Sequence, residues 1–286
     1  MPCPAHNHDR RTFIGLLGVG LAATIAGCAA PQPAPPSTAP QNADTHAAMS
    51  PPALPTQPVF TTQPPQPLPA IPAAHPGPST TVNHGIAGTN NICLTVDDGF
   101  CTDCVTGYVE FAQRSGIHIT FSPNGTYSHC WDPHANVIRP LLERQQVQII
   151  NHTFSHNDLR RMKDQQITGE LERNEHWVTS TFGITTRPYY RPPYGYHNPH
   201  VDGVAGSVGY TKAVLWDGSY SDSGVITPEF LMSQARKYLK PGVIMLGHAN
   251  HPAVLGLFNQ IMDLIKQRGL IPVTMDEMFG TSRATG

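Results

Sequence analysis

The chain has 286 residues, 18 Lys and Arg against 20 Asp and Glu, a formal net charge of −2 and 39% hydrophobic residues. A near-neutral chain with no basic cluster lacks the electrostatic footprint of a nucleic-acid binder. After Ala26 no apolar run approaches the roughly 20 residues a membrane-spanning helix needs, so no such helix is expected there.

The N-terminus reads as a targeting segment. Arg10-Arg11-Thr12-Phe13-Ile14 resembles a twin-arginine export motif, with Asp9 where Ser or Thr is commoner. The apolar run from Phe13 to Ala26 has signal-peptide length, and Ile25-Ala26-Gly27-Cys28 resembles a lipobox. Such a signal implies cleavage before Cys28 and a diacylglycerol on its thiol. Residues 1–27 are therefore expected to be a signal peptide, leaving the protein exported and anchored by Cys28 to the membrane, facing the cell envelope.

Residues 28–88 change character. More than half of the 29 prolines fall here, among Ala, Gln, Thr and Ser with almost no charge. Such a stretch buries too little apolar surface to offset its ordering entropy. Proline favours an extended form of roughly 3.1 Å per residue, so the segment is expected to be a semi-rigid tether reaching a substrate away from the membrane, such as cell wall.

Residues 89–286 make about one domain. Strand patterns fall at 92–96, 117–121, 147–150, 188–191, 211–215, 243–246 and 270–273, with helical patterns near 104–115, 135–145, 167–182, 198–206, 228–240 and 254–268. Thr227-Pro228-Glu229 supplies an N-cap, an N1 proline and an early carboxylate, while Gly116, Gly183 and Gly269 stand where a C′ glycine is expected. Alternating strands and helices predict a parallel sheet, doubly wound or closed into a barrel. Four cysteines fall in the domain, Cys93, Cys101, Cys104 and Cys130. In an exported protein they predict disulfide use, with Cys130 bridging to Cys101 or Cys104 to pin the loop after the first strand, and Cys93 packing as a small hydrophobe.

The chemistry-bearing residues follow the strands. Asp97 and Asp98 end the first, His152 and His156 follow the third, Arg191 ends the fourth, Asp217 follows the fifth and His248 the sixth. All are predicted on the carboxyl rim, where parallel α/β folds build their sites. Two adjacent ionised carboxylates repel unless a cation or a division of roles relieves them, although a solvated Asp-Asp-Gly turn would also accept them. His152 and His156 have i, i+4 spacing, which on a helical turn would aim both imidazoles at one metal. Thr153-Phe154-Ser155 offers no glutamate base, so a base would have to come from the aspartate pair.

Thr-Val-Asp-Asp-Gly (95–99), Asn-His-Thr-Phe-Ser-His (151–156), Arg-Pro-Pro-Tyr-Gly (191–195) and Leu-Gly-His (246–248) resemble, in order, the motifs of the polysaccharide deacetylases, carbohydrate esterase family four with the NodB-homology fold. The resemblance implies a distorted (β/α)7 barrel of parallel strands and one divalent metal, most often Zn2+, with Co2+, Ni2+ or Mn2+ as alternatives. It implies Asp98, His152 and His156 as ligands, Asp97 as base, Arg191 as its partner and His248 as acid. The backbone N–H of Tyr194 would help hold the oxyanion, and Leu246 would line the acetyl pocket. The family's Asp-x-x-Asp-Trp aligns with Ser219-Tyr220-Ser221-Asp222-Ser223, which keeps only Asp222, placed to orient His248. Phe100 replaces a common proline and Ala249 a frequent acidic residue. His118, His129, His134, His197, His200 and His251 are expected to be structural or solvated, with His197 and His200, just past the arginine motif, the first of these to touch substrate if any does.

The implied function is metal-dependent N-deacetylation of a cell-wall glycan by a monomer, with peptidoglycan amino sugars as the expected substrate. An O-acetyl esterase on a polysaccharide such as xylan, and a non-catalytic glycan-binding lipoprotein, are the alternatives.

Overall fold

The computed structural model describes residues 73–280. The expected signal peptide, Cys28 and most of the expected tether lie outside the described residues.

The chain runs β1 (Thr80–Val82), β2 (Asn91–Asp98), α1 (Thr102–Ser115), β3 (Ile119–Pro123), α2 (Ser128–Trp131), α3 (Ala135–Glu143) and β4 (Val147–Ile149). It continues through α4 (Asp164–Phe182), β5 (Tyr189–Tyr190), α5 (Pro199–Ser207), β6 (Lys212–Val214), β7 (Gly218–Ser219) and α6 (Pro228–Tyr238). The last elements are β8 (Ile244–His248), α7 (Phe258–Gln267), β9 (Ile271–Pro272) and α8 (Met275–Phe279). Every strand and helix pattern read from the sequence corresponds to one of these elements. The predicted caps form as well: the Thr227 side chain accepts from the Phe230 N–H, and Gly116 and Gly183 take left-handed conformations at φ 69° and 78°.

β2 is buried almost throughout, which is why its sequence is a continuous apolar run rather than an alternating one. It lies between β3 and β8, and all the strand ladders are parallel. The strands form two sheets, β4-β3-β2-β8-β7 with β9 on β2, and β1-β6-β5. Single bridges join them: Asn151 pairs with Tyr190 on one side and His84 with Val243 on the other. The circuit closes into a barrel, distorted because two of its seams are one residue long.

One of those seams comes from the stretch read as tether. β1 pairs Thr80, Thr81 and Val82 with Lys212, Ala213 and Val214, and His84 completes the ring. The boundary at 88/89 is therefore corrected: residues 80–82 and His84 are part of the barrel. Proline density hid a three-residue strand whose stability comes from its partner rather than from its own pattern.

The cysteines also depart from expectation. Cys101 and Cys104 are bonded to each other, and Cys130 is a free buried thiol 3.2 Å from the Thr102 hydroxyl. Cys101 is the N-cap of α1, and one helical turn brings the two Cα atoms to 5.2 Å, inside the range a disulfide spans, so the local pair forms. Cys93 does pack as a small hydrophobe, and burial pushes its thiol up to about 12.

Candidate metal centre and catalytic site

The site is built on the end of β2. In register, Asp97 lies beside Ser122 of β3 and His248 of β8, so an acidic and an imidazole side chain come from neighbouring strands at the same height. Asp98 turns away from the strand with φ 67°. Gly99 follows at φ 111°, where a β-carbon would sit 2.1 Å from the Trp131 indole nitrogen, so no other residue fits without displacing that ring. The same indole donates to the Asp98 carbonyl at 3.0 Å and fixes the turn.

The histidines arrive by a different route from the one expected. Residues 152–156 are not a helical turn: Thr153 and His156 sit at φ 66° and 55°. The i, i+4 spacing works here through a strained loop, which other groups hold in place. Asn151 Oδ1 accepts the Thr153 N–H at 2.9 Å, Thr153 Oγ1 accepts the His156 N–H at 3.2 Å, and Glu170 of α4 accepts the Ser155 N–H at 2.6 Å. Left-handed conformations at non-glycine residues cost of order 1–3 kcal/mol each. Three of them, Asp98, Thr153 and His156, fall on the putting-together of one site.

Those two segments bring Asp98, His152 and His156 into one cluster, with a ligand atom from each within 4.8 Å of the others. His152 Nε2 is 3.3 Å and His156 Nε2 3.4 Å from Asp98 Oδ1. That oxygen is buried and makes no hydrogen bond, while Asn250 Nδ2 donates to its twin Oδ2 at 2.7 Å. The His152 Nδ1–H is used on the Arg191 carbonyl at 2.8 Å, leaving Nε2 to face the cluster. Ligands about 2.0–2.1 Å from a shared tetrahedral ion stand about 3.4 Å apart, so the contacts suit a metal better than a hydrogen bond. The donor set, two imidazoles and one carboxylate, fits a divalent ion such as Zn2+.

Electrostatics agree. Burial, and then the neighbouring His152, lower the His156 imidazole to about 4, which keeps it neutral as a ligand. Burial raises the Asp98 carboxyl, but the two imidazoles outweigh it and hold the group well below the usual range. Burial opposes charge on His152 as well, yet Asp97 and Asp98 raise its pKa. A proton is thus favoured at the point where a cation would sit, and metal binding would displace it.

Asp97 stands at the edge of the trio, with Oδ2 3.5 Å from His152 Nε2. Its Oδ1 accepts from the fully buried Arg191 at 2.6 Å, and the same guanidinium nitrogen reaches Thr95 Oγ1 at 2.8 Å. Arg191 also donates to the Val214 carbonyl at 3.3 Å and lies over the Trp216 ring at 5.8 Å. A buried charge of this kind is tolerable only when paired. On the other wall, Asp222 accepts from both the His248 backbone N–H, at 3.1 Å, and its Nδ1, at 2.8 Å. Burial lowers the His248 pKa, but Asp222 outweighs it and the net shift is upward. Leu246, Tyr194 and His248 line the same cleft of about 570 Å³ as Asp97, Asp98 and the histidines.

Three expected positions fall elsewhere. Asp217 does not join the rim, because β7 starts immediately after it: its carboxylate takes the Ile244 N–H at 3.0 Å and His84 Nδ1 at 2.5 Å. His197 is engaged by Asp202 at 2.9 Å and His200 by Asp164 at 3.1 Å, and neither lines the cleft. His251, expected to be structural or solvated, packs edge-on against Phe100 at the cleft rim. Asn250 and Trp131 escaped the sequence reading. Asn250 stands two residues past His248, a position that could have been flagged, whereas nothing local marks Trp131.

The fold and site define a class: a parallel α/β barrel with a two-histidine, one-aspartate centre on its carboxyl rim. The model of the polysaccharide deacetylase family matches residues 84–213. It is 27% identical over 206 residues to a peptidoglycan-N-acetylglucosamine deacetylase of Listeria monocytogenes, covering 70% of this chain and 41% of that protein. The chain thus spans about two-fifths of that relative's length. A chitooligosaccharide deacetylase of Bradyrhizobium sp. is 27% identical over 175 residues, covering 59% of this chain and 76% of that one. Among solved structures, a carbohydrate esterase family 4 pseudoenzyme from Bacillus anthracis matches with TM-score 0.61 and 15% identity, over 70% of this chain and 68% of its own. That likeness shows the fold alone, and a pseudoenzyme on the same fold puts the weight on the residues of the site.

Proposed function

We propose that the protein is a metal-dependent N-deacetylase of a cell-wall glycan, with the N-acetylglucosamine of peptidoglycan as its substrate. The observation that carries this reading is the division of labour between adjacent carboxylates: Asp98 meets both histidines, at 3.3 and 3.4 Å, while Asp97 pairs with the buried Arg191 at 2.6 Å and approaches only His152, at 3.5 Å. The names of the two relatives favour an N-acetylated amino sugar over an acetylated xylan.

Asp98, His152 and His156 would hold one Zn2+, which supplies Lewis acidity toward the acetamide carbonyl and the attacking water. Asp97, its charge oriented by Arg191, whose guanidinium Thr95 also engages, accepts a proton from that water. Tyr194, in a left-handed turn on the cleft edge, would offer its backbone N–H to the developing oxyanion. His248, held as the imidazolium by Asp222, gives a proton to the nitrogen as the C–N bond breaks. Water plus acetamide becomes acetate plus the free amine, and the balance is complete. Leu246 closes the space around the acetyl methyl.

The decisive experiment is acetate release from N-acetylglucosamine oligomers and from acetylated xylan, after chelation and after return of Zn2+. Metal-dependent release from the first supports the reading. Release from xylan alone replaces it with an O-acetyl esterase, and no release from either leaves a glycan-binding protein. Export and anchoring through Cys28 are part of the same proposal, supported by the twin-arginine and lipobox residues. The Cys28→Ser variant should leave the membrane fraction; retention there would refute the anchor. The catalytic unit is taken to be a monomer.

A further inference from the structure

Phe100 is an unusual residue to leave in the open. It is 46% exposed, two positions from a metal-cluster residue, and its ring forms part of the cleft wall. Both of its neighbours are pinned. The Gly99 N–H donates to Asn250 at 3.2 Å, the Cys101 N–H to the Ala249 carbonyl at 3.2 Å, and Cys101 is tied to Cys104. The ring itself is steadied by two edge-on partners, Tyr127 at 5.8 Å and His251 at 5.5 Å. These three residues follow β3, β2 and β8, adjacent strands, so together they make one aromatic shelf on one side of the site. Tyr194, 58% exposed, follows β5 and faces the metal cluster from another side, with its ring against His156 at 4.6 Å.

An exposed aromatic ring held this rigidly is preorganised for a flat partner and costs little further ordering on binding. A pyranose ring presents a face of C–H bonds with slightly positive hydrogens, the complement of the negative face of an aromatic ring. The cleft, about 570 Å³, has room beside the metal cluster for such a neighbour.

We propose that Phe100, supported by Tyr127 and His251, is a stacking subsite for the sugar ring next to the one that loses its acetyl group. The preferred substrate is then an oligomer or polymer of β-linked amino sugars rather than a single sugar. This rests on the deacetylase reading for its ligand, but its test does not depend on turnover.

Binding of N-acetylglucosamine and of its β-1,4-linked pentamer is measured by calorimetry in the full chain carrying Asp97→Asn, with and without Phe100→Ala. The expected result is a pentamer affinity about tenfold weaker with Phe100→Ala, and a smaller ratio of pentamer to monomer affinity. Phe100→Trp should restore the ratio. Equal weakening for both ligands, or no weakening for the pentamer, overturns the subsite. Metal stoichiometry and thermal unfolding of each variant separate loss of the shelf from loss of the fold. If the wild-type chain releases no acetate from any glycan the deacetylase reading falls, while the binding ratio still decides the subsite.

Discussion

The two walls of the cleft are made differently. The metal wall, from β2 and β4, holds three residues in left-handed backbone conformations and buries Asp97, Asp98, His152 and Arg191 almost completely. It is braced from outside the cleft by Trp131, Asn151 and Glu170. The acid wall, from β7 and β8, has one left-handed residue, Ser221 at φ 59°, rests on one carboxylate, Asp222, and faces the cleft with Ser219, Ser221 and Ser223 beside Leu246 and His248. Strain is stored only where the surroundings over-determine the geometry. The metal wall should therefore fail abruptly when changed, and the acid wall by degrees.

The largest effects test the metal wall. Asp98→Asn removes the anionic ligand and should lose both bound metal and acetate release. Asp97→Asn keeps the shape and removes a like charge from beside Asp98. It should bind metal as well or better while turnover falls by about 10²–10⁴-fold. Metal stoichiometry measured beside acetate release decides it; metal loss in Asp97→Asn with retention in Asp98→Asn would exchange the two roles.

Asn250 crosses the comparison, since it follows β8 yet bonds to Asp98 Oδ2. Asn250→Ala should weaken metal affinity by about 10–100-fold, the usual cost of removing a partner that orients a ligand. Competition with a chelator of known affinity reads it directly. An unchanged affinity would show that the Trp131 contact and the backbone turn suffice to aim Asp98.

On the acid wall the expected change is a displacement rather than a collapse. Burial lowers the His248 pKa and Asp222 more than restores it, so the imidazolium persists to higher pH than usual. If His248 must be protonated to act, activity falls as pH rises through that raised pKa. Asp222→Asn should move the basic limb of the kcat profile to lower pH while metal content stays constant. A profile that does not move would confine Asp222 to holding the β8 backbone.

The smallest effect is expected at the disulfide. Cys101 and Cys104 close a loop of only a few residues, so the double change to Ser should cost about 2 kcal/mol or less. Thermal unfolding measures that cost. A loss of metal as well would mean that the start of α1 helps position the turn at Asp98.

What could be read in the chain alone was whatever lies in local patterns. Apolar runs ending in Asp97-Asp98 and Leu246-Gly-His248 already marked strands, and their ends already marked a rim. The residues that converge on the site were legible because a parallel sheet puts every carboxyl end on one side. The route by which they converge was not. His152 and His156 meet through a strained loop because Asn151 and Glu170 satisfy its backbone, and Glu170 lies on a helix elsewhere in the chain. The strand Thr80–Val82 exists because Lys212–Val214 offers it an edge, and no periodicity in a proline-rich stretch announces such a partner. Asp217 left the rim because β8 supplied an N–H to hold it, and the disulfide closed locally because helix geometry made the nearer thiol the reachable one. Side-chain type and spacing determine which groups are available. Which of them touch depends on long-range pairing, whose closing entropy and hydrogen bonds are settled only when the whole barrel forms.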